Sequence, residues 1–154
     1  MNAHTVATSL LILLAACGAP DADEPVADPG AEAVVEPETS VSIADFAGTW
    51  ENTVRLEGVD APVPSTMTAR ASDEDWTRSL EGRDSIPLAV SIVGDSLITQ
   101  SAEYESVLRP GVMVTVRTSG GLHGDMLMGN VVATYRTPQG EERVPGTIEG
   151  RRTQ

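Results

Sequence analysis

Cys17 is the single cysteine of this 154-residue chain, and it follows Leu14-Ala15-Ala16 directly behind the apolar run Leu10-Leu11-Ile12-Leu13. Two small residues ahead of the thiol leave an extended backbone that a processing enzyme can grip. The thiol itself is the one side chain soft enough as a nucleophile to take up a lipid. With that sulfur acylated, the chain keeps no cysteine for a disulfide, a thiolate nucleophile or a metal site.

Few other residues invite chemistry. Once the leader carrying His4 is removed, His123 is the one histidine, in Gly121-Leu122-His123-Gly124-Asp125. A histidine and an aspartate with Ser119 close by have the residue types of acid–base catalysis. In a glycine-rich segment they read instead as a solvated hairpin. One histidine without cysteine cannot supply the three or four ligands of zinc. Asp73, Glu74 and Asp75 cluster in one turn without the spacing of a calcium loop and read as solvated carboxylates. Glu103 and Glu105 share a strand face with no partner opposite. Arg78 is different: period two puts it on one face with Trp76 and Leu80. If that face is the inner one, Arg78 meets the carboxylate or phosphate of a ligand beside Trp76, because a buried guanidinium must be paired. At a rim it snorkels to water instead. From these residues we expect no catalytic group, no metal ligand and no cofactor, and hence no enzyme; Arg78 and Trp76 are the candidate ligand-binding residues.

The apolar stretch from Val6 to Ala16 is shorter than the ~20 residues a membrane-spanning helix needs, and it has the proportions of a secretory signal. With Leu14-Ala15-Ala16-Cys17 at its end it resembles the lipobox of bacterial lipoproteins. The resemblance implies that residues 1–16 are removed and that Cys17 receives a diacylglyceryl thioether, becoming the membrane anchor. It also implies a cell-envelope location. Gly18, standing where aspartate would retain such a protein in the inner membrane, implies the outer membrane. The leader departs from the pattern in carrying no Lys or Arg.

From residue 17 to 42 the composition is dominated by Ala, Pro, Glu, Asp, Val and Gly, without an aromatic or basic residue. Seven of the chain's 23 acids lie here, leaving 16 against ten arginines, a net of −6, in the rest. Such a segment cannot bury enough apolar surface to offset the entropy of ordering, so it is expected to be a disordered linker, stiffened by its prolines and extended by like charge. An acidic domain lacks the basic footprint of a nucleic-acid binder. All ten bases are arginine, which removes Schiff-base and lysine general-base chemistry.

Residues 43–154 form one domain whose hydrophobic period is two. Trp50, Asn52, Val54 and Leu56 share a face; so do Ile86, Leu88, Val90 and Ile92; Val112, Val114 and Val116; and Leu127, Val131, Ala133 and Tyr135. Turn residues separate the runs at 72–75, 93–96, 119–121 and 137–140. About eight strands are predicted, over 48–57, 64–71, 75–81, 86–93, 96–104, 112–119, 126–136 and 143–152, with no window of helical period. This is an all-β antiparallel meander. Closing it into a barrel or a strongly curved sheet hides one apolar face and removes the edges, and a β-sandwich is the alternative. Pro87 and Pro145 fall inside strands and predict bulges or an incompletely sealed barrel.

Phe46-Ala47-Gly48-Thr49-Trp50 is similar to the Gly-X-Trp signature of lipocalins and the wider calycin group. The closing segment, Gly146 to Arg152, looks like the last strand of such barrels. The resemblance covers the strand pattern of the whole domain. It implies that Trp50 packs at the closed end of a lipocalin-like barrel, entered through Gly48, with Arg151 or Arg152 lying across its ring. It also implies a cup for a small molecule. The expectation is therefore a membrane-anchored envelope lipoprotein that binds an apolar or amphipathic small molecule. The alternative is a non-enzymatic envelope interaction protein or inhibitor with a filled core.

Overall fold

The computed structural model describes residues 40–153. Cys17, the leader over 1–16 and all but the last three residues of the 17–42 linker lie outside the described residues. A 3-10 turn over Ile43–Phe46 leads into nine strands: β1 Gly48–Leu56, β2 Val63–Ala69, β3 Trp76–Ser79, β4 Ile86–Val93, β5 Ser96–Ser101, β6 Tyr104–Glu105, β7 Met113–His123, β8 Met126–Thr137 and β9 Gly140–Thr153. Every neighbouring pair is antiparallel. The order β5-β4-β3-β2-β1-β9-β8-β7 is closed by pairing of β5 with β7, which makes an eight-stranded barrel. The two-residue β6 continues the β5 edge along β7. The closed, all-β barrel is the architecture that the period-two pattern and the lipocalin-like ends imply.

Alternation does the sorting. In β1, Trp50, Asn52, Val54 and Leu56 point inward, and in β8 Leu127, Val131, Ala133 and Tyr135 do. The inward side chains form two apolar clusters. One gathers Phe46, Trp50, Met67, Trp76, Leu97 and Leu127. The other gathers Val54, Leu56, Val116, Val131, Tyr135 and Ile148. An eight-stranded barrel is just wide enough for its interior to be filled by side chains, so these clusters occupy most of it.

Two expectations need correction. Ser119-Gly120-Gly121 is no turn: β7 runs through it to His123, and the reversal comes at Gly124-Asp125. Gly120 faces Gly129 across the β7–β8 ladder, where a Cβ on Gly120 would stand 2.7 Å from the Met128 carbonyl oxygen. The glycines serve close backbone approach, not chain reversal. Nor do Pro87 and Pro145 break the ladder. The Pro145 carbonyl accepts from the Glu57 N–H at 2.9 Å, one step past the last β1–β9 pair, Leu56–Gly146. The Pro87 carbonyl accepts from Ala102 at 3.0 Å, one step past Leu88–Ser101. In an antiparallel strand the N–H and C=O of one residue point the same way. Each missing donor therefore faces a ladder end, where it costs no rung.

Candidate functional site: an arginine inside the barrel

Strand β3 carries Trp76 and Arg78 on its inward face, two residues apart. Trp76 drops into the first cluster, and its Nε1 donates to the Ser72 carbonyl at 2.6 Å. Arg78, paired with Met67 on β2 and Ile86 on β4, lies between the clusters with only 3% of its surface exposed. The barrel wall, not its rim, holds it. Its Nε and Nη2 atoms are buried without a hydrogen-bond partner. The ion pairs of the described residues are Arg55–Glu149, Arg109–Glu142 and Arg136–Glu103, and Arg78 belongs to none. Burial pushes its pKa below the ordinary arginine value, opposed by the nearby Tyr104. Arginine starts so high that the side chain stays charged.

Further polar side chains are buried inside the barrel. Asn52 and Ser65 face each other across β1 and β2, and Thr99 and Thr118 across β5 and β7. Asn52 Oδ1 and the hydroxyls of Ser65, Thr99 and Thr118 are likewise buried without partners. Asn52 has room because its neighbour on β9 is Gly150, where a Cβ would collide with Oδ1. So many buried polar atoms without partners are unusual, since nearly all buried polar groups find them.

Arg78 lines a cavity of about 40 Å³ together with Ser65, Ser106, Tyr104 and Tyr135, among aliphatic walls such as Val54, Val116 and Val131. Tyr104 and Val107 also line a surface groove of about 970 Å³ that carries Arg83 and the acids Glu81, Asp84 and Glu103. The two residues thus form the partition between inside and outside. Burial pushes the Tyr104 phenol up, against the pull of Arg78.

The segment between β5 and β7 covers this end of the barrel and is tied down at several points. Ser106 Oγ accepts from the N–H groups of Leu108 and Arg109, both at 3.1 Å. Glu105 accepts from the Gly111 N–H at 2.9 Å. Arg109 makes a two-pronged pair with Glu142, 2.6 and 2.8 Å, while its guanidinium lies 4.2 Å from the centre of the Tyr135 ring. Where β5 gives out, Ser101 Oγ takes the Val116 N–H at 2.8 Å in place of a ladder carbonyl.

The remaining sequence candidates fall elsewhere. Trp76 is with the first cluster and does not line the cavity. Trp50 is fully buried at the opposite end, with Arg152, not Arg151, across its ring. Gly48 has φ of 134°, and the Arg152 side chain passes 3.7 Å from where its Cβ would be. His123 and Asp125 are exposed on the β7–β8 hairpin. Glu103 pairs with Arg136 at 2.7 Å and Glu105 holds the Gly111 turn, so the two carboxylates serve separate structural contacts. Among the described residues no three His, Cys, Asp or Glu side chains are grouped to hold a metal ion. Ser65, Thr99, Thr118, Ser106 and Tyr104 were not singled out by the sequence. The signal for the first three was polar residues at inward positions of strands whose other inward residues are apolar. Compared with known proteins, the chain matches no protein-family model, no curated protein and no solved structure.

Proposed function

We propose that this chain is a lipid-anchored protein of the bacterial envelope whose barrel binds a small amphipathic molecule without transforming it. The anchor rests on Leu14-Ala15-Ala16-Cys17, and the acidic linker holds the barrel off the lipid head groups. The membrane, reached through the Cys17 lipid, and a small molecule are its partners. The observation that carries the binding function is the cavity that combines aliphatic walls with a buried, unpaired Arg78. Ligand sites are mostly apolar with a few placed polar groups that fix orientation, and this cavity has that composition. His123 and Asp125, exposed on a hairpin, add no acid–base pair to it.

The filled interior favours a second reading. At about 40 Å³ the cavity is roughly a quarter of an engineered cavity of ~150 Å³ that admits benzene. An interaction protein or inhibitor with a packed core would look similar over most of its length. Native mass spectrometry of the mature chain in neutral detergent separates the two. A co-purified or added small molecule that survives into the gas phase supports the binding module. A barrel that stays empty against a series of short amphiphiles supports the interaction protein. Metabolic labelling with palmitate tests the anchor. Incorporation that Cys17→Ser abolishes is the expected result, and an unlabelled chain would remove the envelope assignment.

A further inference from the structure

We infer that the cavity beside Arg78 is a seat for a compact organic monocarboxylate, its two oxygens on the Nε–Nη2 edge of the guanidinium and its short alkyl part against the aliphatic wall. This deepens the binding function proposed above and rests on it.

The two unpartnered atoms of Arg78 are not an arbitrary pair. Nε–H and one Nη2–H point side by side from the same edge of the planar guanidinium, and their spacing matches the two oxygens of a carboxylate. Every other element packed around the arginine supplies a neutral group. Ser65 comes from β2, Tyr104 from β6, Ser106 from the covering segment and Tyr135 from β8, all lining the same cavity. The acids nearest the mouth, Glu81, Asp84 and Glu103, line the outer groove and not the cavity. A buried guanidinium without a counter-ion is strongly disfavoured, and the described residues supply none, which leaves the position open to an anion from outside.

The walls choose among anions. Phosphate or sulfate presents oxygens in every direction and needs donors all round. Here Val54, Val116 and Val131 close the other sides. An organic acid with one anionic end and one apolar end satisfies both surfaces. Volume sets the length. A cavity of about 40 Å³, only about a quarter of the ~150 Å³ that holds benzene, takes no acid larger than acetate, a carboxylate carrying one methyl group. A longer tail would have to pass Tyr104 and Val107 into a groove whose lining is largely charged and polar. The chemistry therefore specifies acetate, not a longer fatty acid.

The test is calorimetric titration of the mature chain in neutral detergent, at constant ionic strength, with acetate, butyrate, decanoate, acetamide, ethanol and inorganic phosphate. Acetate should bind at least ~10-fold more tightly than the amide or alcohol of the same length, the difference expected of a charge-assisted, two-pronged contact. Arg78→Met should abolish that preference, and Arg78→Lys, which keeps charge without the edge, should not restore it. Should the variants not fold, ¹³C spectra of carboxyl-labelled acetate on the unaltered protein decide. The bound acid should titrate about one unit or more below the free acid. Equal binding of alcohol and carboxylate would overturn the inference and leave a binding module standing. Tighter binding of phosphate, butyrate or decanoate would overturn the stated class, and binding of none would overturn both the inference and the function it rests on.

Discussion

The guanidinium of Arg152 lies 4.5 Å from the centre of the Trp50 ring, directly across the β1–β9 ladder in which the two residues are paired. The same guanidinium donates to the carbonyls of Ala47 and Asp45, and Trp50 Nε1 donates to the Phe46 carbonyl at 2.8 Å. One arginine therefore locks the 3-10 turn, the start of β1 and the end of β9 over a fully buried indole.

Replacing Arg152 with alanine removes a partly solvated cation–π contact of ~0.5–1 kcal/mol together with charged donors to two backbone carbonyls. The expected loss is about 1–2 kcal/mol in urea denaturation. Arg151 is the internal control. It is exposed, and Arg151→Ala should change stability by less than ~0.5 kcal/mol. Equal effects of the two would show that the Trp50 contact contributes nothing.

Gly129 presents the opposite problem, one of space. A Cβ there would run into the Ser119 carbonyl and Gly120 Cα, both backbone. Backbone on the neighbouring strand cannot swing aside as a side chain can. Gly129→Ala should cost ~1–3 kcal/mol, as overpacking does elsewhere, whereas Gly124→Ala, facing open space at the hairpin, should act only through its positive φ of 61°. A neutral Gly129→Ala would mean that β7 and β8 are further apart than described.

These positions show what a sequence reveals of such a barrel. Strand faces were legible because a closed barrel buries every second residue, and the alternation in 48–57 and 126–136 is nearly unbroken. Gly120-Gly121 misled because two adjacent glycines signal a turn in most contexts; only the partner strand, with Gly129 opposite, shows that they permit close approach. Arg78 could be assigned to the inner face by counting, but its depth is set by where β3 sits in the closed barrel, which no local pattern encodes. The covering segment stayed hidden for the same reason. Its ties, Arg109 to Glu142 and Glu103 to Arg136, link residues 33 positions apart along the chain.

Acid should loosen two of these ties together. The Ser42 N–H and hydroxyl, with the charge of Arg152 behind them, hold the Asp45 carboxyl below the usual range, and hydrogen bonds from Arg109 do the same for Glu142. A carboxyl whose pKa is lower folded than unfolded contributes stability above its unfolded pKa and loses it as the pH falls through the folded value. Urea midpoints should therefore not vary with pH through these groups near neutrality and should decline below about pH 4, where ordinary carboxyls titrate. Asp45→Asn and Glu142→Gln should each flatten that decline. Both groups are at the surface, so high salt should mute the effect. A decline unchanged in both variants would assign it to other acids.

The Arg109–Glu142 pair can also be read as a latch over the cavity. Hydrogen exchange monitors it without any ligand, because Ser106 Oγ protects the Leu108 N–H and the Arg109 carbonyl protects that of Val112. Arg109→Ala should accelerate exchange at these amides by about 10-fold while leaving the β1–β9 ladder protected, since local opening is governed by local contacts. Acceleration spread evenly through the barrel would indicate global destabilisation and no latch.

Stability gives an independent measure of what Arg78 is for. A residue kept for the fold should weaken the protein when removed. Arg78 is a guanidinium with two buried unpaired atoms, in a barrel that already buries four more from Asn52, Ser65, Thr99 and Thr118. Exchanging a buried charge for an apolar side chain of similar length is often neutral or stabilising by ~1–4 kcal/mol. Methionine, flexible and polarisable, can follow the path of the arginine stem between Met67 and Ile86. Arg78→Met should then leave the ligand-free barrel as stable as the parent or more so. Acetate, which raises the melting temperature of the parent by mass action, should no longer do so. A loss of several kcal/mol in the ligand-free variant would instead make Arg78 a structural residue, satisfied by contacts within the protein, and would remove the electrostatic reason for an anion to enter the barrel at all.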